Sequence, residues 1–396
     1  MPWKDKSVKG TREDFVKECL SEDANISEIS RRYGVSRTCA YKWIERYEAG
    51  AVLEDQSRRP MRMPNRVAES MEKLIVVERV MHPTWGPKKL KRRLEDKGYR
   101  ELPALSTFEN ILKRNGMVTK EASLAARPCK GFVRSEPNEL WQTDFKGDFL
   151  LRNNVRCYPL TCTDDYSRMN LCLSAQRQTT TQVVQEQFMR MFEEYGLPQE
   201  ILCDNGNPWG TSQSTGITRL EVWWMQHGIL PIHGRIKHPQ TQGKEERFHK
   251  SFKLDLLSQG IPYDLEDAQK RFDEYRVEYN TIRPHEALNL DVPAAHYKPS
   301  PRKLQRVKEW EYDTRYEQRI IKESGYITYR GQGYFLSEGL GGVTVGIRES
   351  YTDGCVTICY REFAVARINV NERCLVSRKI RYDREQTTRT DGRNRV

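Results

Sequence analysis

The feature that most constrains this chain is a change in the period of its apolar residues near Glu139. Upstream they recur at helical spacing. Downstream they fall into short β-rich runs at 140–150, 156–163 and 169–173, followed by a helical stretch at 180–195. A short run at 200–203, a helix near 220–227, another run at 229–232 and a helix from about Lys244 complete the series. Three strands, helix, strand, helix, strand, helix predicts a mixed sheet flanked by helices.

Three acids stand at informative places in that series. Asp144 follows Trp141-Gln142-Thr143, Asp204 follows Ile201-Leu202-Cys203, and Glu246 opens a helix after a loop rich in Pro, Gln and Gly. In a ribonuclease-H-like α/β core with a mixed five-stranded sheet, Asp144 lies mid-sheet on the first strand and Asp204 at the end of a neighbour. The late helix then brings its glutamate over the same edge. Carboxylates so gathered bind hard cations through oxygen, and two such cations can clamp both sides of a phosphodiester displacement. Asp144, the most central, is expected to bridge both ions, with Asp204 and Glu246 each completing one shell. Any one of these acids alone is an ordinary surface or turn residue; the combination carries the reading.

Glu245 and Glu246 are adjacent and have to be separated. On a helical wheel Glu245 falls in the sector of Phe248, Phe252 and Leu256, whereas Glu246 points away from it, near His249, Lys250 and Lys253. Glu246 is therefore the expected ligand, with Lys244, Lys250 and Lys253 placed for DNA phosphates. Glu245, in the first turn, favours the helix N-terminus. Asp148 is a reserve candidate on the first strand; Asp164 and Asp165 suit a turn or a brace for Arg168 better than a metal.

The N-terminal part reads as DNA-binding. Helical stretches at 11–20, 26–33 (capped by Asn25) and 37–47 are separated by the tight turn Gly34-Val35-Ser36, a helix-turn-helix pattern whose second helix would enter the major groove. Arg37, Thr38, Tyr41 and Lys42 are expected to face outward there, with Ala40, Trp43 and Ile44 in the core. Arg58 and Arg59 in a Pro- and Arg-rich linker suit phosphate contacts. A second helical module around 66–117 carries Lys88 and Lys89 after Trp85-Gly86-Pro87, with Pro87 near a helix start. Ser106 is expected to cap a helix at 107–113.

Charge agrees with this division. The chain of 396 residues has a net charge of +11 and a pI of about 9.1, and residues 1–130 hold 28 Lys and Arg against 19 Asp and Glu. A polyanion, nucleic acid first, is the expected partner. The ten cysteines include no Cys-x-x-Cys pair and have no histidine at ligand spacing, so reduced thiols in cores are expected rather than zinc sites. No signal-peptide core is visible at the start and no apolar run approaches a membrane span, in keeping with a mean hydropathy of −0.79. A bacterial cytoplasm, on nucleoid DNA and away from membranes, is the expected setting.

The expected organisation is multidomain α+β. A helix-turn-helix domain at 1–55 and a linker at 56–65 precede a second helical module at 66–118 and a linker at 119–137. The ribonuclease-H-like core at 138–300 follows, then a small β domain at 301–376 and a basic tail at 377–396. Short glycine-broken strands at 326–330, 333–336, 343–346, 355–359 and 364–368 predict that the β domain is a small barrel.

At these motifs the chain resembles bacterial insertion-sequence transposases of the retroviral-integrase-like DDE superfamily. Gly34-Val35-Ser36-Arg37 with Tyr41-Lys42-Trp43 and Ser57-Arg58-Arg59-Pro60 is similar to that family's N-terminal region. Tyr158-Pro159-Leu160 to Ser167-Arg168 and Leu220-Glu221-Val222-Trp223-Trp224 before His227-Gly228-Ile229 are similar to its core, and Arg283-Pro284-His285-Glu286-Ala287-Leu288 with Pro293 and Tyr297 is a further hallmark. The resemblance implies cleavage at the ends of a mobile element and joining of the freed 3′-ends to target DNA. It implies Mg2+, with Mn2+ able to substitute, and a homo-oligomer, at least a dimer, that pairs two terminal inverted repeats. The acidic triad maps onto Asp144, Asp204 and Glu246; Glu245 stands where relatives usually carry an apolar residue. The rival readings are a catalytically silent DNA-binding regulator derived from a transposase, and a ribonuclease acting on RNA–DNA hybrids. The last explains the N-terminal modules poorly.

Overall fold

The computed structural model describes residues 8–55, 67–118, 134–210, 216–234 and 243–383. The chain divides into two compact units between Val67 and Ala68.

The first unit is three helices, α1 (Val8–Cys19), α2 (Ile26–Arg32) and α3 (Arg37–Glu48). Asn25 caps α2 by accepting from the amides of Ser27 and Glu28. Gly34, at φ 69°, turns the chain, and Ser36 caps α3. Phe15, Val16, Ile29, Ala40, Trp43 and Ile44 form the core. The Arg12 guanidinium lies 4.2 Å from the centre of the Trp43 ring and donates to the Leu53 carbonyl, which ties the segment after α3 back onto α1.

The second unit begins with α4 (Glu69–Met81), α5 (Pro87–Asp96) and α6 (Leu105–Arg114). Pro87 occupies the first turn of α5, where its missing N–H costs nothing. Ser106 is not a cap: α6 starts at Leu105, with Ala104 in the cap position and no side-chain cap bond. Packing of Phe108, Ile111 and Leu112 sets that start, overriding the local capping signal.

The central sheet contains β1 (Leu140–Phe145), β3 (Arg156–Asp164), β4 (Asn170–Gln176), β5 (Glu200–Cys203) and β6 (Leu230–His233), in the order β4-β3-β1-β5-β6. A sixth, two-residue strand, β2 (Phe149–Leu150), pairs with β3 beyond the end of β1. The first expected run, 140–150, is thus broken after Phe145, with Gly147 at φ 85°. β1 pairs antiparallel with β3 and parallel with β5, and β5 parallel with β6, so the sheet is mixed. Helices α7 (Thr181–Tyr195) and α8 (Arg219–Gln226) cover one face over Trp141, Leu160 and Cys162. On the other, α9 (Gly243–Ser258) and α10 (Leu265–Thr281) contribute Phe248, Phe252, Phe272, Tyr275 and Tyr279 to a core with Cys157 and Leu173.

The C-terminal part is not a closed barrel. β7 (Glu317–Ile320), β10 (Thr344–Glu349), β11 (Cys355–Tyr360), β12 (Phe363–Asn369) and β13 (Cys374–Ser377) form an open antiparallel sheet, ordered β13-β12-β11-β10-β7. β8 (Tyr326–Tyr329) and β9 (Gln332–Phe335) form a separate hairpin. Instead of closing, the sheet buries its apolar face against α8 and β6 of the central-sheet region: Ile217, Val222, Met225 and Leu230 share one core with Ile347, Ile358 and Phe363. Order also runs past the expected start of the tail. β14 (Arg381–Tyr382) pairs with β12, and buried Asp383 accepts from Arg348, Tyr316 and the Cys359 thiol. No helix among the described residues is long and apolar enough to cross a membrane.

Candidate active site

The sheet register explains why two distant aspartates meet. β1 and β5 run parallel with Gln142 opposite Leu202; two residues further along each strand are Asp144 and Asp204. Strand alternation turns Trp141 toward α7 and α8 and turns Asp144 toward α9. Burial, and then the charge of Asp204, push the Asp144 carboxyl up from 3.8 to about 7. Asp204 itself is exposed. The charge of Asp204 thus disfavours ionisation of Asp144, and a cation between them removes the conflict.

A histidine not singled out in the sequence holds Asp204 in place. His233, the last residue of β6, lies 3.1 Å from the Asp204 carbonyl through Nδ1 and 2.8 Å from the buried Glu221 carboxylate through Nε2. Burial works against its charge. Hydrogen bonds to Cys203 and Glu221 outweigh that and raise it to about 11, so both ring nitrogens donate. Glu221 in turn closes a capping box with Thr218 at the start of α8. The polar residue ending an otherwise apolar strand was the available signal for His233.

On α9 the two glutamates part as the wheel predicts: Glu245 is 1% exposed and Glu246 is exposed. The buried one, however, is near Asp144. Burial first, and also the Asp144 charge, push Glu245 up to about 8. Thr161 donates to its Oε2 at 3.2 Å, and its Oε1 has no hydrogen-bond partner among the described residues. His249 lies with Glu245 rather than beside Glu246: its Nε2 is 2.8 Å from the Thr161 hydroxyl and 3.6 Å from Glu245. Burial and the charge of Lys146 bring His249 down to about 3, so it is neutral at ordinary pH. Asp144, Asp204 and Glu245 therefore share one electrostatic neighbourhood, with Glu246 on the outer side of the helix. Among the described residues, no three His, Cys, Asp or Glu side chains are close enough to hold one metal ion.

The other candidates take up varied positions. Asp148 lies beyond the end of β1 and pairs with Arg156. Asp164 accepts from the Ser167 amide and hydroxyl and from the Asn138 amide. Asp165 accepts from the Arg134 amide, from Gln142 and from Lys244, so Lys244 is engaged inside the fold, and the charges of Asp165 and Asp164 also favour that of Arg168. Lys250 and Lys253 are exposed on α9, and Lys253 is near enough to Lys146 to disfavour its charge. Arg37, Thr38, Tyr41 and Lys42 are exposed on α3, over the buried Ala40, Trp43 and Ile44. Lys88 is exposed and Lys89 half-buried on α5. Arg58 and Arg59 lie outside the described residues.

The donor chemistry suits a hard divalent cation. Asp144 and Asp204 offer only carboxylate oxygens, in a pair whose mutual repulsion a cation relieves.

Residues 134–239 and 227–293 match integrase core domain families, residues 11–61 a helix-turn-helix domain and residues 39–112 a homeodomain-like domain. An uncharacterized 39.2 kDa protein of insertion element IS476 from Xanthomonas euvesicatoria is 26% identical over 51% of this chain. The aligned part is 58% of that relative, so the chain spans less than two thirds of its length. The transposase InsD for insertion element IS2 of Escherichia coli is 25% identical over 68% of this chain and 93% of its own. Among solved structures, the HTLV-2 integrase catalytic core domain in complex with magnesium matches 41% of this chain and 97% of its own, at 16% identity and a TM-score of 0.31.

Proposed function

We propose that this chain, which belongs with the insertion-sequence transposases of the integrase-like superfamily, cleaves DNA at the ends of a mobile element and joins the freed 3′-ends to target DNA. The observation that carries the proposal is the pair Asp144 and Asp204, at the ends of neighbouring parallel strands of an integrase core domain and each within reach of the other's charge. In the first step water attacks a phosphodiester and the 3′-oxygen of the element end leaves. In the second, that 3′-hydroxyl attacks a target phosphodiester, and the target's own 3′-oxygen leaves.

Asp144 and Asp204 would hold divalent metal, with Glu246 as third carboxylate on the strength of the family resemblance. Bound Mg2+ or Mn2+ supplies activation of the attacking oxygen and stabilisation of the leaving one. The chain's own part is positional. The Glu221–His233 pair fixes the backbone at Asp204, and the aromatic core under α9 fixes the helix that bears the glutamates. Arg37, Thr38, Tyr41 and Lys42 of α3 dock on element-end DNA, with Lys250 and Lys253 as phosphate contacts beside the acids. Pairing of two ends calls for at least a dimer.

The burial of Glu245 near Asp144 supports a second reading of the third acid, in which Glu245 takes that role. Purified protein incubated with Mg2+ and labelled terminal inverted repeats tests both levels. Nicking at the element boundary and joining are expected from the wild type and from Glu245→Gln, and are expected to vanish in Glu246→Gln. The opposite pattern in the two variants transfers the role to Glu245. End binding without nicking or joining by the wild type selects the silent regulator.

A further inference from the structure

Two polar contacts hold α9 to the strands beneath it, one on each side of its paired glutamates. The first is made by Asp165, 1% exposed and directly after β3. Its amide donates to the Leu140 carbonyl, which fixes it to β1, the strand that bears Asp144. Its Oδ1 accepts from the Gln142 side-chain amide at 2.6 Å and pairs with Lys244, whose Nζ also donates to the Asp165 carbonyl at 3.1 Å. Its Oδ2 accepts from the Arg134 amide at 2.8 Å. The Lys244 side chain is 16% exposed, turned into the fold. Gln142 stands two residues before Asp144 on the same face of β1, and Lys244 two residues before Glu246 on α9. Asp165 therefore joins strand and helix at equal offsets from the two acids.

The second contact follows the glutamates. Thr161 is paired with Asp144 in the β1–β3 register, and its hydroxyl lies 3.0 Å from the Asp144 carbonyl and 2.8 Å from His249 Nε2. At 3.6 residues per turn, Lys244 and His249 stand about 140° apart around the helix axis. Glu245 falls inside that sector, and Thr161 donates to it at 3.2 Å. Glu246 falls just outside the sector, and it is exposed. Two holds at different angles fix the roll of a helix, which one hold cannot do.

We propose that Asp165 and Lys244 are positioning residues for the cleavage and transfer chemistry: their ion pair, tied to β1 through Gln142, sets the roll of α9 that presents its acid alongside Asp144. Lys244 then serves the third acid rather than a DNA phosphate. The proposal rests on the reading of this core as a strand-transfer enzyme.

Lys244→Met in the full-length protein tests it. Groups that orient metal-binding carboxylates typically contribute about 10–100-fold, so single-turnover cleavage of labelled terminal repeats in Mg2+ at saturating protein should slow by that factor. Affinity for end duplex and its salt dependence should stay at the wild-type level. Lys244→Arg should restore most of the rate, since a guanidinium still reaches the same carboxylate. Asp165→Asn should slow cleavage comparably, and the double variant no further, because both break one link. Without metal or DNA, amide exchange over residues 247–252 should quicken in Lys244→Met. Weaker, less salt-dependent binding with an unchanged cleavage rate would make Lys244 a phosphate contact and overturn the proposal. Losses that multiply in the double variant overturn it too, as does unaltered exchange in α9. Equal cleavage by the wild type and Lys244→Met overturns this role alone, whereas a wild type that never nicks refutes the functional reading and the role with it.

Discussion

Replacing Asp144 by Asn should stabilise the metal-free protein at pH 8. The Asp144 carboxyl rises from 3.8 to about 7, through burial first and the Asp204 charge second. Folding thus tightens its hold on a proton, so its stabilising contribution is complete below about pH 4 and is lost as pH climbs to about 7. Above that window the folded chain keeps an ionised carboxylate where it is disfavoured. At ~1.4 kcal/mol per pH unit, the span from 3.8 to about 7 gives an upper bound of roughly 4 kcal/mol. Solvent reaching the exposed Asp204 screens the pair and brings the expected gain to about 1–3 kcal/mol. Asparagine keeps the shape and cannot ionise. Urea unfolding of both proteins in chelator, at pH 8 and near pH 4, should show the variant ahead at the higher pH and level at the lower. Added Mg2+ should then raise the wild-type midpoint and leave the variant's unchanged, because only a folded site with both acids gains from the ion. An Asp144→Asn protein no more stable than wild type at pH 8 would refute the reasoning.

Two further expectations follow from packing and exposure. Phe252, 1% exposed, packs edge-to-face on Phe272 at 4.9 Å beneath α9; Phe252→Ala should cost about 3–5 kcal/mol in unfolding measurements, and a cost under 1 kcal/mol, on the order of a surface substitution, would detach α9 from that core. Tyr41 is 57% exposed on α3, so Tyr41→Ala with Lys42→Gln should weaken binding of end DNA while shifting thermal stability little. Unchanged affinity would move the docking surface off α3.

The sequence shows the central sheet because each strand there carries its own signal, an apolar run ended by a turn or a helix. The two aspartates were legible for the same reason: each closes such a run, and the parallel β1–β5 register brings them level. The barrel misled because short strands broken by glycines have the same local pattern whether or not the sheet closes. Closure depends on what the edge strands meet, and β7, exposed at all four residues, has no alternation to announce it. The order at the start of the basic tail was not legible either. Asp383 looks like one more polar residue until Arg348, Tyr316 and Cys359 converge on it from elsewhere in the chain. The glutamates show how far a wheel reaches. It separates Glu245 from Glu246 correctly by burial, but it cannot show that the buried sector lies over Thr161 and Asp144 rather than over apolar side chains alone. His233 and Glu221 lie on different elements and meet only in the fold.

The most direct test of the account exchanges one proposed metal-binding oxygen for sulfur. A thiolate suits Mg2+ poorly and tolerates Mn2+ better. Asp204→Cys is therefore expected to bind element ends normally, to fail to cleave them in Mg2+ and to recover cleavage in Mn2+, while the wild type cleaves in both. Undiminished cleavage by Asp204→Cys in Mg2+ would contradict the claim that Asp144 and Asp204 together hold the catalytic metal.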